Sequence, residues 1–369
     1  MRILSGQALS SLHPHTPESN EMANTEITNS ETEANTSIAS TDTVTEAGPP
    51  FNKPSADLIL RTSDNVKFHV WKFILEEVSP VFAAMFVPGA QPVSSQEKDT
   101  TYRDAEDNHG RGQDSATDIP FVHVSETSTV LRRLLLTLYP PSNLQFASLD
   151  ELGPVLAAAR KYQMGAILDC LAEVLVRDFA KAEPLRVYCI ATLYDIPLAQ
   201  RTAALHFLAF STSEHAKDYD VDELRDIDGR AYHRLLSCRW QCTAALAETL
   251  KDLSWFPDDL LFFTNNKSCS CASEKTTYAL RGPDGTTVQH NLKRWFFAHI
   301  QRMTVVLQDK PSSDGLKDPA LCDQTLKDAF NCGTCRGMAF EHMRQFMKLL
   351  EDHVEETVSQ IITSMFGHE

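Results

Sequence analysis

The sequence lacks the short motifs that mark most enzyme active sites. It contains no glycine-rich phosphate loop, no G-x-S-x-G and no H-E-x-x-H. No apolar run approaches the roughly 20 residues that a membrane-spanning helix needs. The opening MRILSGQALSSL has too many polar residues for a secretory signal. We therefore expect a protein that is not an enzyme, does not bind a membrane and lies inside the cell, in the cytoplasm or the nucleus.

Basic residues are also scarce. The chain has 34 Lys and Arg against 50 Asp and Glu, for a formal net charge of -16. Residues 1–50 hold seven acidic residues and one basic residue, and residues 94–118 hold seven and three, so these two segments account for -10 of the net charge. No basic cluster exceeds short pairs such as Arg132 and Arg133. A polyanion needs a basic patch, so we expect no nucleic-acid partner.

Two polar segments have too few apolar side chains to fold. Residues 1–51 are rich in Ser, Thr, Asn and Glu, with Pro49 and Pro50 close to the end of the segment. This composition cannot offset the entropy cost of ordering, and it predicts a disordered acidic tail. The stretch at about 87–118 has neither a helical nor a strand period, and it predicts a disordered insertion. Whether that insertion binds a partner or only spaces two elements stays open at this point.

A β-hairpin is predicted where apolar residues first alternate. Leu58 and Leu60 precede the polar turn TSDN, and three more apolar residues follow it at period two: Val66, Phe68 and Val70. Such alternation is typical of strands with one buried face. A short helix at Lys72–Leu75 and a second one in SPVFAAMF come next, with Ser79 as N-cap and Pro80 at the first helical position.

Another strand and several helices complete this first folded segment. IPFVHV reads as a strand, and SETSTVLRRLLLTLYPP as a helix that stops at Pro140 and Pro141. Ser148 and Glu151 have the spacing of a capping box before the next helix, which includes VLAAARKYQM. The order of elements is hairpin, helix pair, strand and further helices, which predicts an α+β fold.

Over residues 55–178 this pattern resembles the BTB domain, also called the POZ domain. The resemblance is carried by Asp57 before the hairpin, VWKFIL, SPVFAAMF, the leucine-rich helix and VLAAARKYQM. Its signature residues here are Asp57, Trp71, Lys72, Ser79, Phe82, Met85, Phe86, Tyr139 and Tyr162. The chain as a whole is similar to BTB-containing proteins of basidiomycete fungi. The resemblance implies an α+β domain at 52–180, with a short β-sheet flanked by helices, that self-associates or docks other proteins without catalysis.

Three departures from the family pattern bear on function. Trp71 stands where the family usually has a His, and we expect its ring to be partly buried. No helix precedes Asp57, which makes a dimer with exchanged N-terminal segments less expected. Cullin-binding members often carry an apolar-x-Glu motif after the second helix. Here that region holds Ser95-Gln96-Glu97, and Val124-Ser125-Glu126 follows a strand instead. We therefore predict a scaffold or self-association module, with a cullin-type ubiquitin-ligase adaptor as the alternative.

Residues 181–369 are predicted to form an α-helical C-terminal region. The chain reads as helical at about 183–255 and again at 290–308, with a looser stretch NNKSCSCASEKTTYALRGPDGTT between them. In a last long helix apolar residues recur every three or four positions: Phe340, Met343, Met347, Leu350, Val354, Val358, Ile361 and Met365. This face could pack on its own domain or bind a partner helix.

Four of the nine cysteines occur in two close pairs that could hold one metal ion. Cys269 and Cys271 form a Cys-x-Cys pair, and Cys332 and Cys335 form a Cys-x-x-Cys pair with Gly at its turn. Together they would complete a tetrahedral structural zinc site, although the function needs no cofactor and the thiols could also be unliganded. A third class of function would centre on these cysteines, either with zinc or as a redox pair, since CGTC is also a thioredoxin-type spacing.

Four other residues are weaker candidates for metal ligands. Cys322, His290, His299 or His342 could replace one of the four cysteines, but each His lies in a helical pattern typical of surface or core residues. The remaining thiols are read as small buried hydrophobic side chains: Cys170, Cys189, Cys238 and Cys242.

Overall fold

The computed structural model describes residues 44–86, 112–114, 118–139, 145–211, 220–256, 262–264, 269, 271–281 and 286–367. Residues from Val44 onward form one compact unit. The predicted tail up to residue 43, most of the predicted insertion, Pro140 and Pro141, and Ser95-Gln96-Glu97 lie outside the described residues. Within the described part, no helix is both long and apolar enough to cross a membrane.

A five-stranded mixed sheet forms the first part of the unit. Its strands are β1 (Thr45–Glu46), β2 (Leu58–Arg61), β3 (Val66–Val70), β4 (Gly112–Gln113) and β5 (Pro120–His123). Their order is β1-β3-β2-β5-β4. The predicted hairpin is confirmed, because β2 and β3 pair antiparallel with Leu58 opposite Val70. The β5 strand lies parallel to β2, with Leu60 opposite Val122.

Two edges of this sheet lie in segments for which disorder was predicted. β1 pairs parallel with β3, and Ala47 and Phe51, which follow β1 in the sequence, are buried. β4 pairs with β5 at the end of the predicted insertion, where Asp114 forms a 2.9 Å ion pair with Lys67. The predicted boundaries at 51 and 118 are therefore wrong for these residues. A strand of two residues is too short to show a hydrophobic period, so sequence patterns miss it.

Five helices follow β3 and β5 in this part of the chain: α1 (Lys72–Val78), α2 (Pro80–Phe86), α3 (Ser128–Leu136), α4 (Leu149–Lys161) and α5 (Gly165–Val174). The Ser79 cap is confirmed, since its Oγ accepts the Phe82 N–H at 3.1 Å. The predicted capping box is wrong. The Ser148 side chain makes no capping bond, and Glu151 accepts the Ala147 N–H at 3.2 Å instead.

The C-terminal region is helical, as predicted, with one added hairpin. Its helices are α6 (Pro184–Leu193), α7 (Pro197–Phe207), α8 (Gly229–Lys251), α9 (Arg294–Asp309), α10 (Pro319–Phe330) and α11 (Ala339–Phe366). Antiparallel strands β6 (Ala272–Arg281) and β7 (Thr287–Lys293) replace the predicted loose stretch, so α9 begins at Arg294 rather than near 290. β7 is mostly exposed up to Asn291, and Val288 and Leu292 are too few to signal a buried strand face.

The last helix, α11, packs against its own chain. Its buried face comprises Met343, Phe346, Met347, Leu350, Val354, Val358, Ile362 and Phe366. The Phe366 ring lies 6.0 Å from that of Tyr188 in α6. The predicted face was partly wrong, because Phe340 is 59% exposed and Ile361 and Met365 are only half-buried. Most of the apolar stripe is thus already used inside the molecule.

Candidate functional site

The junction between the hairpin and α1 is fixed by two of the signature residues. Asp57 lies just before β2, and its Oδ1 accepts the backbone N–H of Lys72 at 2.7 Å. This bond satisfies one of the free N–H groups at the start of α1. The Asp57 side chain, which lies before β2, therefore determines where α1 begins after β3.

Trp71, the residue before α1, is partly buried and ties this junction to the end of α3. Its indole stacks on the Tyr139 ring with 5.7 Å between centroids, and its Nε1 donates to the Ser55 carbonyl at 3.2 Å. The Lys53 ammonium lies 5.3 Å from the indole centroid. Burial raises the pKa of Tyr139, although the hydrogen bond from the Trp71 N–H acts to lower that pKa. Two aromatic rings and a cation thus pack together beside the start of α1.

A second group of signature residues joins α2 to the end of α4. The buried Ser79 Oγ donates to the Tyr162 carbonyl at 2.5 Å, and the Phe82 ring stacks on the Tyr162 ring at 4.4 Å. The Tyr162 hydroxyl donates to a carboxylate oxygen of Glu126, and Lys161 pairs with the other oxygen at 2.8 Å.

The Glu126 carboxylate is committed to these internal contacts. Its side chain is 9% exposed. Burial by itself would raise the pKa of Glu126, but the hydrogen bonds from Lys161 and Tyr162 hold it below its usual value. Burial and the Glu126 charge in turn raise the pKa of Tyr162 far above its usual value. A carboxylate held this way stabilises the domain core and presents little surface to a partner.

The outer surface of α1 and α2 exposes large apolar side chains. Phe73 is 71% exposed and Met85 is 36% exposed, although Phe82 and Phe86 beside Met85 are buried. The Lys72 ammonium lies 5.4 Å from the Phe86 ring centroid, which brings the start of α1 next to the end of α2. Phe73 directly follows Lys72, and Met85 directly precedes Phe86. We name these two exposed side chains together the α1–α2 surface.

The two cysteine pairs, more than 60 residues apart in sequence, meet in one cluster. Cys269 and Cys271 lie just before β6, whereas Cys332 and Cys335 lie in the turn between α10 and α11. All four Sγ atoms lie within 4.8 Å of one another. Cys269 Sγ is 3.5 Å from the Sγ atoms of both Cys332 and Cys335, and Cys271 Sγ is 4.0 Å from that of Cys335.

These separations suit a tetrahedral metal ion. A zinc–sulfur bond of about 2.3 Å places the sulfur atoms of a tetrahedron about 3.8 Å apart. The observed separations of 3.5 and 4.0 Å bracket that value. Four cysteines this close could bind a metal.

Backbone N–H groups point at the first sulfur of each pair. The Cys271 N–H donates to Cys269 Sγ at 3.3 Å. A hydrogen bond from the Cys335 N–H, helped by one from Thr334, lowers the pKa of Cys332 to about 6. A thiolate is the form of cysteine that binds metals. The Arg294 N–H donates to the Cys271 carbonyl at 2.8 Å, which anchors the hairpin pair to the start of α9.

Comparison with known families identifies the first part of the chain. Residues 51–178 match the family model of the BTB/POZ domain. This segment is a BTB/POZ domain. The BTB/POZ domain is a protein–protein interaction module and not an enzymatic domain. It covers roughly a third of the 369 residues. No curated protein matches the chain, so the resemblance to basidiomycete BTB proteins stays a prediction.

The other candidate ligands do not belong to the group of close thiols. Among the described residues, the group that could hold a metal comprises only Cys269, Cys271, Cys332 and Cys335. Cys189, Cys238 and Cys242 are buried, as expected, but the prediction for Cys170 is wrong because that residue is exposed. The CGTC pair lies between two helices, and the strands near it form an antiparallel hairpin rather than the βαβ unit of a thioredoxin.

Sequence reasoning missed two residues beside the cluster. Lys293, the last residue of β7, is 1% exposed, and Trp295, in the first turn of α9, is 4% exposed. The Trp295 side chain lines the same cleft as Cys271 and Cys332. A lysine at a strand end normally reads as a solvated residue, so no pattern in the sequence points to its burial.

Proposed function

We propose that this protein is a non-enzymatic scaffold that self-associates or binds other proteins through its BTB/POZ domain. The family match over residues 51–178 carries the proposal. The α1–α2 surface supports it, because an aromatic side chain that is 71% exposed beside a closed core is a suitable anchor for a partner. We place the contact at Phe73 and Met85.

Light scattering on the full-length protein at micromolar concentration tests this proposal. We expect the wild type to form a dimer or larger assembly, and Phe73→Asp to weaken that assembly at least about tenfold by burying an unpaired charge. Leu198→Asp is the matched control, since Leu198 in α7 is 60% exposed. It should leave the assembly unchanged. A wild type that is monomeric at every concentration would remove self-association as the main role.

A cullin-type ubiquitin-ligase adaptor is the alternative, and the contacts of Glu126 count against it. Val124 is 6% exposed and Glu126 is bound by Lys161 and Tyr162, so this apolar-x-Glu triplet has little surface to offer. Pull-down with a cullin of the BTB-binding type separates the two functions. Binding that survives both Glu97→Ala and Glu126→Ala would favour the adaptor and contradict this reasoning.

We also propose that the four cysteines bind one structural zinc ion. The sulfur separations support this proposal, and a cleft of about 380 Å³, lined in part by Cys271 and Cys332, offers an entry path. Such an ion would join the β6–β7 hairpin to the α10–α11 turn. The BTB/POZ function requires no cofactor, so the ion would act on stability.

Native mass spectrometry and thermal melting test the zinc proposal. We expect one zinc per chain and a lower melting temperature after chelation or in Cys335→Ser. Cys170→Ser changes an exposed cysteine outside the cluster and should alter neither quantity. A protein purified from zinc-containing medium that carries no zinc, and whose melting is unchanged by chelation, would overturn the proposal.

A further inference from the structure

Lys293 is a buried cation with an unusual environment. Its side chain is almost fully enclosed, with the ammonium 3.8 Å from the centroid of the Phe262 ring. Among the described residues, no carboxylate forms an ion pair with it. A buried ammonium that has only an aromatic face as a partner is costly, because a ring quadrupole replaces little of the lost hydration. Such a residue needs a nearby negative charge.

The cysteine cluster lies close enough to supply that charge. Lys293 pairs with Ala272 across the hairpin, and Ala272 directly follows Cys271. The next residue, Arg294, donates its N–H to the Cys271 carbonyl. The Phe262 ring that covers the Lys293 ammonium lies 6.1 Å from the Trp295 ring, and Trp295 lines the same cleft as Cys271 and Cys332. Lys293 thus lies beside the cysteine pair of the hairpin.

The charge of a loaded site explains why a cation is useful there. Four thiolates and one Zn²⁺ carry a net charge of -2, which is costly to hold in a partly enclosed site beside an aromatic side chain such as Trp295. Among the described residues, the Cys271 N–H donates a hydrogen bond to Cys269 Sγ, but a backbone N–H brings no full charge. Lys293 brings one.

We propose that Lys293 is the buried counter-ion of the four-cysteine metal centre and raises its affinity for zinc. This inference rests on the zinc site proposed above. Lys293 does not ligate the ion and acts through the charge of the thiolates, so it is a positioning residue.

Zinc affinity of the full-length protein, measured by competition with a chromophoric chelator, tests the proposal. Outer partners of metal ligands contribute roughly 10–100-fold to affinity, and we expect Lys293→Met to weaken zinc binding by that factor. Lys293→Arg keeps the charge and should retain most of the affinity. Lys327→Met is the matched control, because Lys327 is an exposed lysine in neighbouring α10.

A second measurement separates a counter-ion from a packing residue. Without zinc, Lys293→Met removes an unpaired buried charge and should leave the melting temperature equal or higher. With zinc, the same change should lower it. A packing role would move both temperatures in the same direction. If the wild type binds zinc and Lys293→Met binds it equally well, this inference fails alone. A wild type that binds no zinc refutes the zinc site and this inference together.

Discussion

A buried histidine in the C-terminal region makes stability fall in acid. His299 lies in α9 with 0% exposure. Its Nδ1 is 2.8 Å from Thr325 Oγ1 in α10, and its Nε2 is 3.3 Å from Met347 Sδ in α11. Burial, with the charge of Arg302, lowers the pKa of His299 to about 3. The ring is therefore neutral in the folded protein and joins three helices.

The sign and size of the effect follow from the two pKa values. An unfolded chain has the ordinary histidine pKa of about 6.5, so between pH 6.5 and about 3 it binds one more proton than the folded chain. The free energy of unfolding therefore decreases as pH falls through this window. With one pKa unit equal to about 1.4 kcal/mol, the loss from His299 alone reaches about 3 kcal/mol at pH 4.5.

Urea unfolding of the wild type and His299→Gln at pH 7.5 and pH 4.5 measures this contribution. We expect the variant to be less stable at pH 7.5, because a well-packed ring is lost, but to lose about 3 kcal/mol less than the wild type on acidification. Carboxylates and thiolates titrate in both proteins and cancel in the difference. Equal losses in the two proteins, or an NMR titration of His299 with a pKa near 6.5, would refute the reasoning.

Two further substitutions probe the contacts that hold the unit together. Tyr162→Phe removes a hydrogen bond to the enclosed Glu126 carboxylate and should cost about 1.5–3 kcal/mol in urea unfolding. Glu126→Gln added to Tyr162→Phe should then cost little more free energy of unfolding. If the losses from the two substitutions add, Tyr162 and Glu126 are not directly coupled. Arg239→Met should cost at least about 3 kcal/mol. The buried guanidinium donates to the Phe207 and Phe210 carbonyls at the end of α7 and to the Asp309 carbonyl at the end of α9, and the variant loses these bonds. A change below about 1 kcal/mol would show that water replaces those bonds.

Strong local patterns were sufficient for much of the BTB/POZ domain. The alternation from Leu58 to Val70 predicted the β2–β3 hairpin, and Ser79 with Pro80 predicted the start of α2. In both cases the signal comes from neighbouring residues, because a strand period and a helix cap need only local geometry. The apolar stripe of α11 was predicted for the same reason. The prediction was wrong near the ends of the stripe, because burial there depends on the several elements that pack around the helix.

Tertiary contacts decided the features that no local period encodes. The sequence by itself determined an α+β interaction domain followed by helices, and it identified which four cysteines could meet. It did not determine that β1 pairs with β3, that β6 and β7 form a hairpin, or that Glu126 is held by Tyr162 and Lys161. The burial of Lys293 beside the cysteines likewise depends on how α9, α11 and the hairpin come together. These outcomes depend on which distant surfaces exclude water from one another, and that information is spread over the whole chain.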